Sequence, residues 1–188
     1  MSAESVVNPS ENRTLPARTN AETRAPSFIQ QVCQCVAVAG LGLVSYLIIS
    51  HFVLQSVQVV GESMVPTLFD SQQYLLNRWV YHFRAPRRTD VVVLRDPQEH
   101  GFAVKRIIAA AGDRVDIKSG KVYVNGRTLS EPYLLPDMPT FPYLTVNEQS
   151  FVLGKDQFFV LGDNRRNSAD SRTYGPVSRR SILGLIIR

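Results

Sequence analysis

The sequence predicts a mainly β protein: a compact, barrel-like domain of short antiparallel strands, preceded by one N-terminal transmembrane helix. Two observations carry that prediction. A single long apolar run lies near the N-terminus, and after it come short runs of Val, Ile, Leu and aromatic residues separated by Gly, Pro, Asp and Asn. With 188 residues, 44% of them hydrophobic, the chain holds one domain and a sizeable core.

Residues 1–27 are rich in Ser, Asn, Thr, Pro and Arg and lack apolar periodicity, the composition of a disordered tail. From Val32 to Leu54 the chain is almost continuously apolar, broken only by Gln34, Ser45, Ser50 and His51. As a helix, residues 32–54 would span about 35 Å, enough to cross a hydrocarbon core of about 30 Å. A cleaved secretory signal is the competing reading. It fits poorly, because the run is long, lies well inside the chain and has no clear small-residue cleavage site. Arg13, Arg18 and Arg24 precede the run, and the first basic residue after it is Arg78. The positive-inside rule then puts the N-terminus in the cytoplasm and residues 55–188 on the outer side of a plasma or thylakoid membrane.

Cys33 and Cys35, the only cysteines, sit at the edge of that run and read as small apolar membrane residues, with lipidation the alternative. A disulfide framework and a thiolate zinc site are therefore excluded from the rest of the chain. His51, His82 and His100 show no ligand spacing, so neither a metal nor a cofactor is expected. The net charge of +5 falls in short pairs such as Arg87-Arg88 and Arg179-Arg180. That pattern suits a solvated surface or a membrane lipid headgroup rather than a nucleic acid.

Strands are expected at Tyr74–Tyr81, Asp90–Arg95, Phe102–Ala111, Arg114–Ile117, Lys121–Val124, Gln157–Leu161 and Ile182–Arg188. Asn125-Gly126 marks a tight hairpin between Val122-Tyr123-Val124 and Arg127-Thr128-Leu129. Residues 132–149, with Pro132, Pro136, Pro139 and Pro142, read as a long irregular connection.

The chemistry centres on Gly61-Glu62-Ser63-Met64-Val65-Pro66-Thr67-Leu68. Between a mobile Gly and a Pro-fixed segment, Ser63 is held on irregular backbone where its hydroxyl can face a cleft. An ordinary turn gives the same pattern, and a nucleophilic serine needs a base that this octapeptide cannot supply. Lys105 lies in the apolar strand Phe102-Ala103-Val104-Lys105-Arg106-Ile107-Ile108. Strand alternation sends Lys105 and Arg106 to opposite faces, one inward and the other to solvent. Free lysine titrates at about 10.4, and burial would disfavour its charged form and leave an amine able to take a serine proton.

Four segments occur in order: Gly61 to Leu68, Arg88-Thr89-Asp90-Val91-Val92-Val93, Val104-Lys105-Arg106-Ile107 leading to Gly112-Asp113, and Gly162-Asp163-Asn164-Arg165-Arg166-Asn167-Ser168-Ala169-Asp170-Ser171-Arg172. With them the sequence closely resembles the bacterial type I signal peptidases (leader peptidases), membrane-anchored serine proteases with a Ser-Lys dyad, over the membrane segment and essentially all of residues 55–188. The resemblance implies Ser63 as nucleophile, Lys105 as general base, and Ser168 as the hydroxyl that hydrogen-bonds and orients the lysine amine. It further implies a supporting ion pair of Asp170 and Arg172, and a turn of Asp163 and Asn164 that holds them. The implied substrates are exported preproteins with small residues one and three before the cut.

Two residues depart from the pattern. Gly61 stands where the Gram-negative enzymes place a serine that helps stabilise the oxyanion, which leaves backbone N–H groups, that of Ser63 first, to do so. Gly61→Ser is expected to be tolerated unless the glycine needs positive φ. Arg166 replaces an acidic residue. The alternatives are a self-cleaving Ser-Lys repressor, against which the apolar run and the residue 162–172 segment argue, and a non-catalytic membrane-anchored binding domain.

Overall fold

The computed structural model describes residues 27–49, 54–98, 101–143 and 147–187, so the predicted tail at residues 1–27 lies outside it except for Ser27. The N-terminal helix, α1, is Phe28–Ile48, long and apolar enough to cross a membrane, with a mean hydropathy of 1.7. It begins earlier than Val32 because Ser27 and Gln30 form a reciprocal cap. The Gln30 backbone N–H donates to Ser27 Oγ at 3.4 Å and the Ser27 N–H to Gln30 Oε1 at 3.0 Å. The predicted end at Leu54 is also corrected, since Leu54 opens the first strand.

The β body is built of β1 Leu54–Gln58, β2 Gln73–Asn77, β3 Val91–Arg95, β4 Phe102–Ala109, β5 Arg114–Lys118, β6 Lys121–Val124, β7 Arg127–Thr128, β8 Glu148–Val152, β9 Gln157–Leu161, β10 Val177–Ser178 and β11 Ile182–Ile187, with single-turn helices α2 Val80–Phe83 and α3 Ser171–Tyr174. Pairing is antiparallel throughout. A curled seven-stranded sheet runs β1-β2-β11-β3-β4-β9-β10, and a four-stranded sheet runs β7-β6-β5-β8. The mainly β, half-barrel character thus agrees with the pattern of short strands.

Alternation along the strands explains the layers. Val92 and Leu94 of β3 enter one core with Ile107, Phe158 and Val160, while Val93 enters another with Val59, Met64, Leu68, Leu76 and Ile186. Phe159 and Leu161 of β9, with Ile108 of β4, turn the other way and meet Val115, Ile117, Val122 and Val124 of the small sheet. The strands β4 and β9 are therefore covered on both faces, and both lead into the site. Asn125 and Gly126 take φ values of 53° and 76°, as a tight hairpin requires.

The expected strand Tyr74–Tyr81 ends at Asn77. There the Asn77 side chain accepts the N–H groups of Trp79 and Val80, at 3.0 and 2.9 Å, and turns the chain into α2. The strand β8, which was not expected, begins at the end of the connection expected to be irregular and runs past it to Val152.

Candidate active site

Ser63 stands on a tight turn. The Val65 N–H donates to the Glu62 carbonyl at 3.1 Å, and those of Thr67 and Leu68 donate to the Met64 carbonyl at 2.7 and 2.9 Å. Met64 and Leu68, fully buried, anchor the turn in the core beneath it and leave the half-buried Ser63 facing out. Gly61 has a φ of 97°, and its N–H donates to Asp70 at 2.7 Å. That hydrogen bond is the main cause holding the Asp70 carboxyl below its usual range. The exception stated for Gly61→Ser therefore applies, because the backbone occupies the region that side-chain-bearing residues rarely adopt.

Lys105 reaches the turn from β4. Its side chain lies 3.0 Å from Ser63 Oγ, Nζ to oxygen, and the residue is only 4% exposed. Both line a cleft of about 720 Å³ between the β1 edge with the following loop and Phe102 to Lys105 of β4. Asn167 and Ser168 also line it.

The segment at residues 162–172 braces the pair. Gly162 lies so close that a Cβ there would collide with Ser168 Oγ and the Ser63 carbonyl oxygen. The Asn164 backbone N–H donates to that Ser63 carbonyl at 3.0 Å, and its side-chain Nδ2 donates to the Glu62 carbonyl at 3.2 Å. Asp170, fully buried, pairs with Arg172 at 2.8 Å through both oxygens, caps the backbone N–H of Arg172 and accepts the Gly162 N–H at 3.1 Å. Among the described residues Ser168 Oγ is buried in the same region without a hydrogen-bond partner, so the expected hydrogen bond to the Lys105 amine is not formed in this structure.

These observations set the chain beside known proteins. A family model described as signal peptidase, peptidase S26, matches residues 30–187. The chain belongs to that family. Signal peptidase I P of Bacillus subtilis subsp. natto is 33% identical over 169 residues, covering 87% of this chain and 90% of that protein. Signal peptidase I of Leptolyngbya laminosa is 32% identical over 182 residues, 92% of this chain and 85% of that one. A crystal structure of a signal peptidase I from Enterococcus faecalis V583 covers 55% of this chain and 98% of its own, with a TM-score of 0.48 and 28% identity. This peptidase S26 member is therefore a serine endopeptidase, and the repressor and binding-domain alternatives fall away.

Several residues that shape the peptidase site were not singled out from sequence. Alternation sends Arg106 to the face opposite Lys105, yet it too is buried, only 7% exposed, where one of the two was expected to meet solvent. It donates to Asp163 through Nε at 2.8 Å and Nη2 at 2.6 Å, to the Thr89 carbonyl at 2.9 Å and to Thr67 Oγ1 at 3.2 Å. Its guanidinium stacks 3.9 Å from the centre of the Tyr133 ring. Both faces of β4 are covered, so the second cation could be buried only with a carboxylate partner, and Asp163 is that partner. Arg165, fully buried, pairs with Glu131 at 2.6 Å and also donates to Thr140. Glu131 in turn accepts the Tyr133 hydroxyl at 2.9 Å. The proline-rich connection is thus stapled to the site from beneath. Burial, more than the nearby Glu131, pushes the Tyr133 hydroxyl far above its ordinary pKa and keeps it a neutral donor.

Proposed function

We propose that this chain removes signal peptides from exported preproteins, with Ser63 as the nucleophile and Lys105 as its general base. The observation that carries this is the 3.0 Å approach of a 4%-exposed lysine amine to the serine hydroxyl in the floor of a cleft. A buried amine is poised for the neutral form, which can accept the hydroxyl proton as Oγ attacks the carbonyl of the residue before the cut. The Ser63 backbone N–H faces the developing oxyanion. The protonated lysine then gives its proton to the leaving amine, and water, activated by the same group, releases the signal peptide from the serine. Ser168 is assigned to hold the amine in the bound state. Asp163, Asn164, Asp170 and Arg172 position the loop and touch no reacting atom.

The cleft is shaped for an extended chain. The edge of β1 away from β2 carries no strand, and β4 pairs with β9 only from Arg106 onward, so two strand edges line it among the described residues. A peptide laid between them gains backbone hydrogen bonds, and its alternate side chains point into the floor, where small residues one and three before the cut are accommodated. The helix α1 anchors the enzyme in membrane lipid, with the N-terminus in the cytoplasm and the β body on the outer side.

Purified protein in detergent should process a preprotein with Ala at both positions before the cut and fail when either is Phe, and Ser63→Ala should process neither. Equal processing of the Ala and Phe substrates would contradict the substrate assignment. Protease added outside spheroplasts should digest residues 60–188 and spare the tail; digestion of the tail alone would invert the topology.

A further inference from the structure

At Ser168 and Ala169 the cleft that holds Ser63 and Lys105 adjoins a second cavity of about 460 Å³, because those two residues line both. Its wall carries three guanidiniums, those of Arg165, Arg166 and Arg172, and no carboxylate among the described residues. Two of the three charges are compensated. Arg165 is paired with Glu131 at 2.6 Å and Arg172 with Asp170 at 2.8 Å. Arg166 is exposed and forms neither a hydrogen bond nor an ion pair with the described residues. It supplies the net positive charge of the cavity, at a position where the sequence pattern led us to expect an acidic side chain.

On the assignment of Ser63 above, on which this inference rests, the residues before the cut lie along the β1 and β4 edges and the scissile carbonyl lies at Ser63. A chain continuing past the cut is taken to leave toward Ser168 and Ala169, which lie off those edges and join the two cavities. An extended chain advances about 3.3–3.6 Å per residue, so the second residue of the mature protein lies about 7 Å beyond the cut. We propose that this second cavity receives the start of the mature chain, and that Arg166 selects Asp or Glu at the second residue after the cut. A guanidinium presents a planar fork of N–H donors matched to a carboxylate, and among the described residues no carboxylate lines the wall to compete for it.

The test uses full-length protein in neutral detergent and preproteins that differ only at that second residue, as Asp, Ala or Lys, with kcat/KM normalised to the Ala substrate. Wild type should prefer Asp over Lys by about twofold to fivefold, the range of an exposed ion pair. The preference should shrink as salt is raised. Arg166→Gln should remove it and Arg166→Glu should invert it. An Asp-to-Lys ratio that Arg166→Glu leaves unchanged overturns the proposal. So does an effect of Arg166→Glu that is equal for all three substrates and appears only with anionic lipid vesicles, which would assign Arg166 to a lipid phosphate. Failure of the underlying function looks different: wild type would cleave none of the preproteins, or Ser63→Ala would cleave them as well.

Discussion

Replacing Arg106 by Met should cost about 3–5 kcal/mol of stability, the range for removing one partner of a buried ion pair. The magnitude follows from what is left behind. Asp163 is fully buried, and both of its carboxylate oxygens accept from Arg106, at 2.8 and 2.6 Å. Without the guanidinium the carboxylate keeps its desolvation cost and loses its compensation. The substitution also removes the face of Tyr133 from its stacking partner and the donor to Thr67 in the Ser63 loop, so activity should fall with stability. The assay is denaturant unfolding in detergent, followed by circular dichroism and by the fluorescence of the single tryptophan, Trp79. Arg106→Met with Asp163→Leu should be clearly less destabilised than Arg106→Met alone, because no unpaired charge remains. An Arg106→Met protein within about 0.5 kcal/mol of wild type would refute the reasoning, since that is the scatter expected of a surface exchange.

Gly61→Ser should lower activity in a protein that still folds, because φ at 97° strains any side-chain-bearing residue by about 1–3 kcal/mol; activity equal to or above wild type would contradict this. Gly162→Ala should abolish processing, since its Cβ meets the Ser63 carbonyl and Ser168 at once, and retained activity would show that the two loops can separate. Acid should destabilise the β body through Asp90 and Asp113. Burial alone would raise both carboxyls, but Arg84, the Arg87 N–H and the Tyr81 hydroxyl hold Asp90 down, and the Ala110 N–H, Arg88 and Asn125 hold Asp113 down. Folded values below unfolded ones mean that this stabilisation is complete above the unfolded pKa of about 4 and is lost as pH falls through the lower folded value. The melting temperature should therefore drop below about pH 4, less so in Asp113→Asn, and a flat profile from pH 5 to pH 3 would count against it.

What could be read from the sequence was local or motif-borne. Ser63 and Lys105 were visible because each lies in a short segment of recognisable order, and the structure brings them within 3.0 Å across 42 residues of chain. The strands β3 to β6 and β9 were legible as short apolar runs bounded by turn residues; β5 and β6 alternate, whereas β3, β4 and β9 are nearly continuously apolar because both of their faces are covered. The strand β1 was hidden because Leu54 continues the apolar run without a break and Leu54-Gln55-Ser56-Val57-Gln58 lacks a period-two alternation, its half-buried residues being Leu54 and Val57. The end of β2 had a signal in Asn77, a residue that caps its own turn, but the apolar Trp79, Val80 and Tyr81 beyond it read as more strand. Arg106 was the substantive miss. A charged residue in a strand is assigned to solvent unless its counter-charge is known, and Asp163 lies 57 residues away. The same holds for the stapling of the proline-rich connection through Glu131, Tyr133 and Thr140, which depends on partners in a distant segment. Ser168 lines the cleft with Ser63 and Lys105, but among the described residues the hydrogen bond expected of its hydroxyl is not formed.

The account stands on Lys105 acting as a base. Processing of a preprotein should rise with pH through a midpoint below about 10.4, the value of free lysine, because only the neutral amine accepts the serine proton and burial favours that form. Lys105→Arg keeps the charge and much of the bulk but cannot deprotonate, so the folded, membrane-bound variant should be inactive at every pH. The decisive measurement is the pH profile of preprotein processing by wild type and Lys105→Arg side by side. A rising wild-type limb that vanishes in the variant is the predicted result, and a folded Lys105→Arg protein that processes preprotein at a comparable rate would contradict the Ser63-Lys105 assignment.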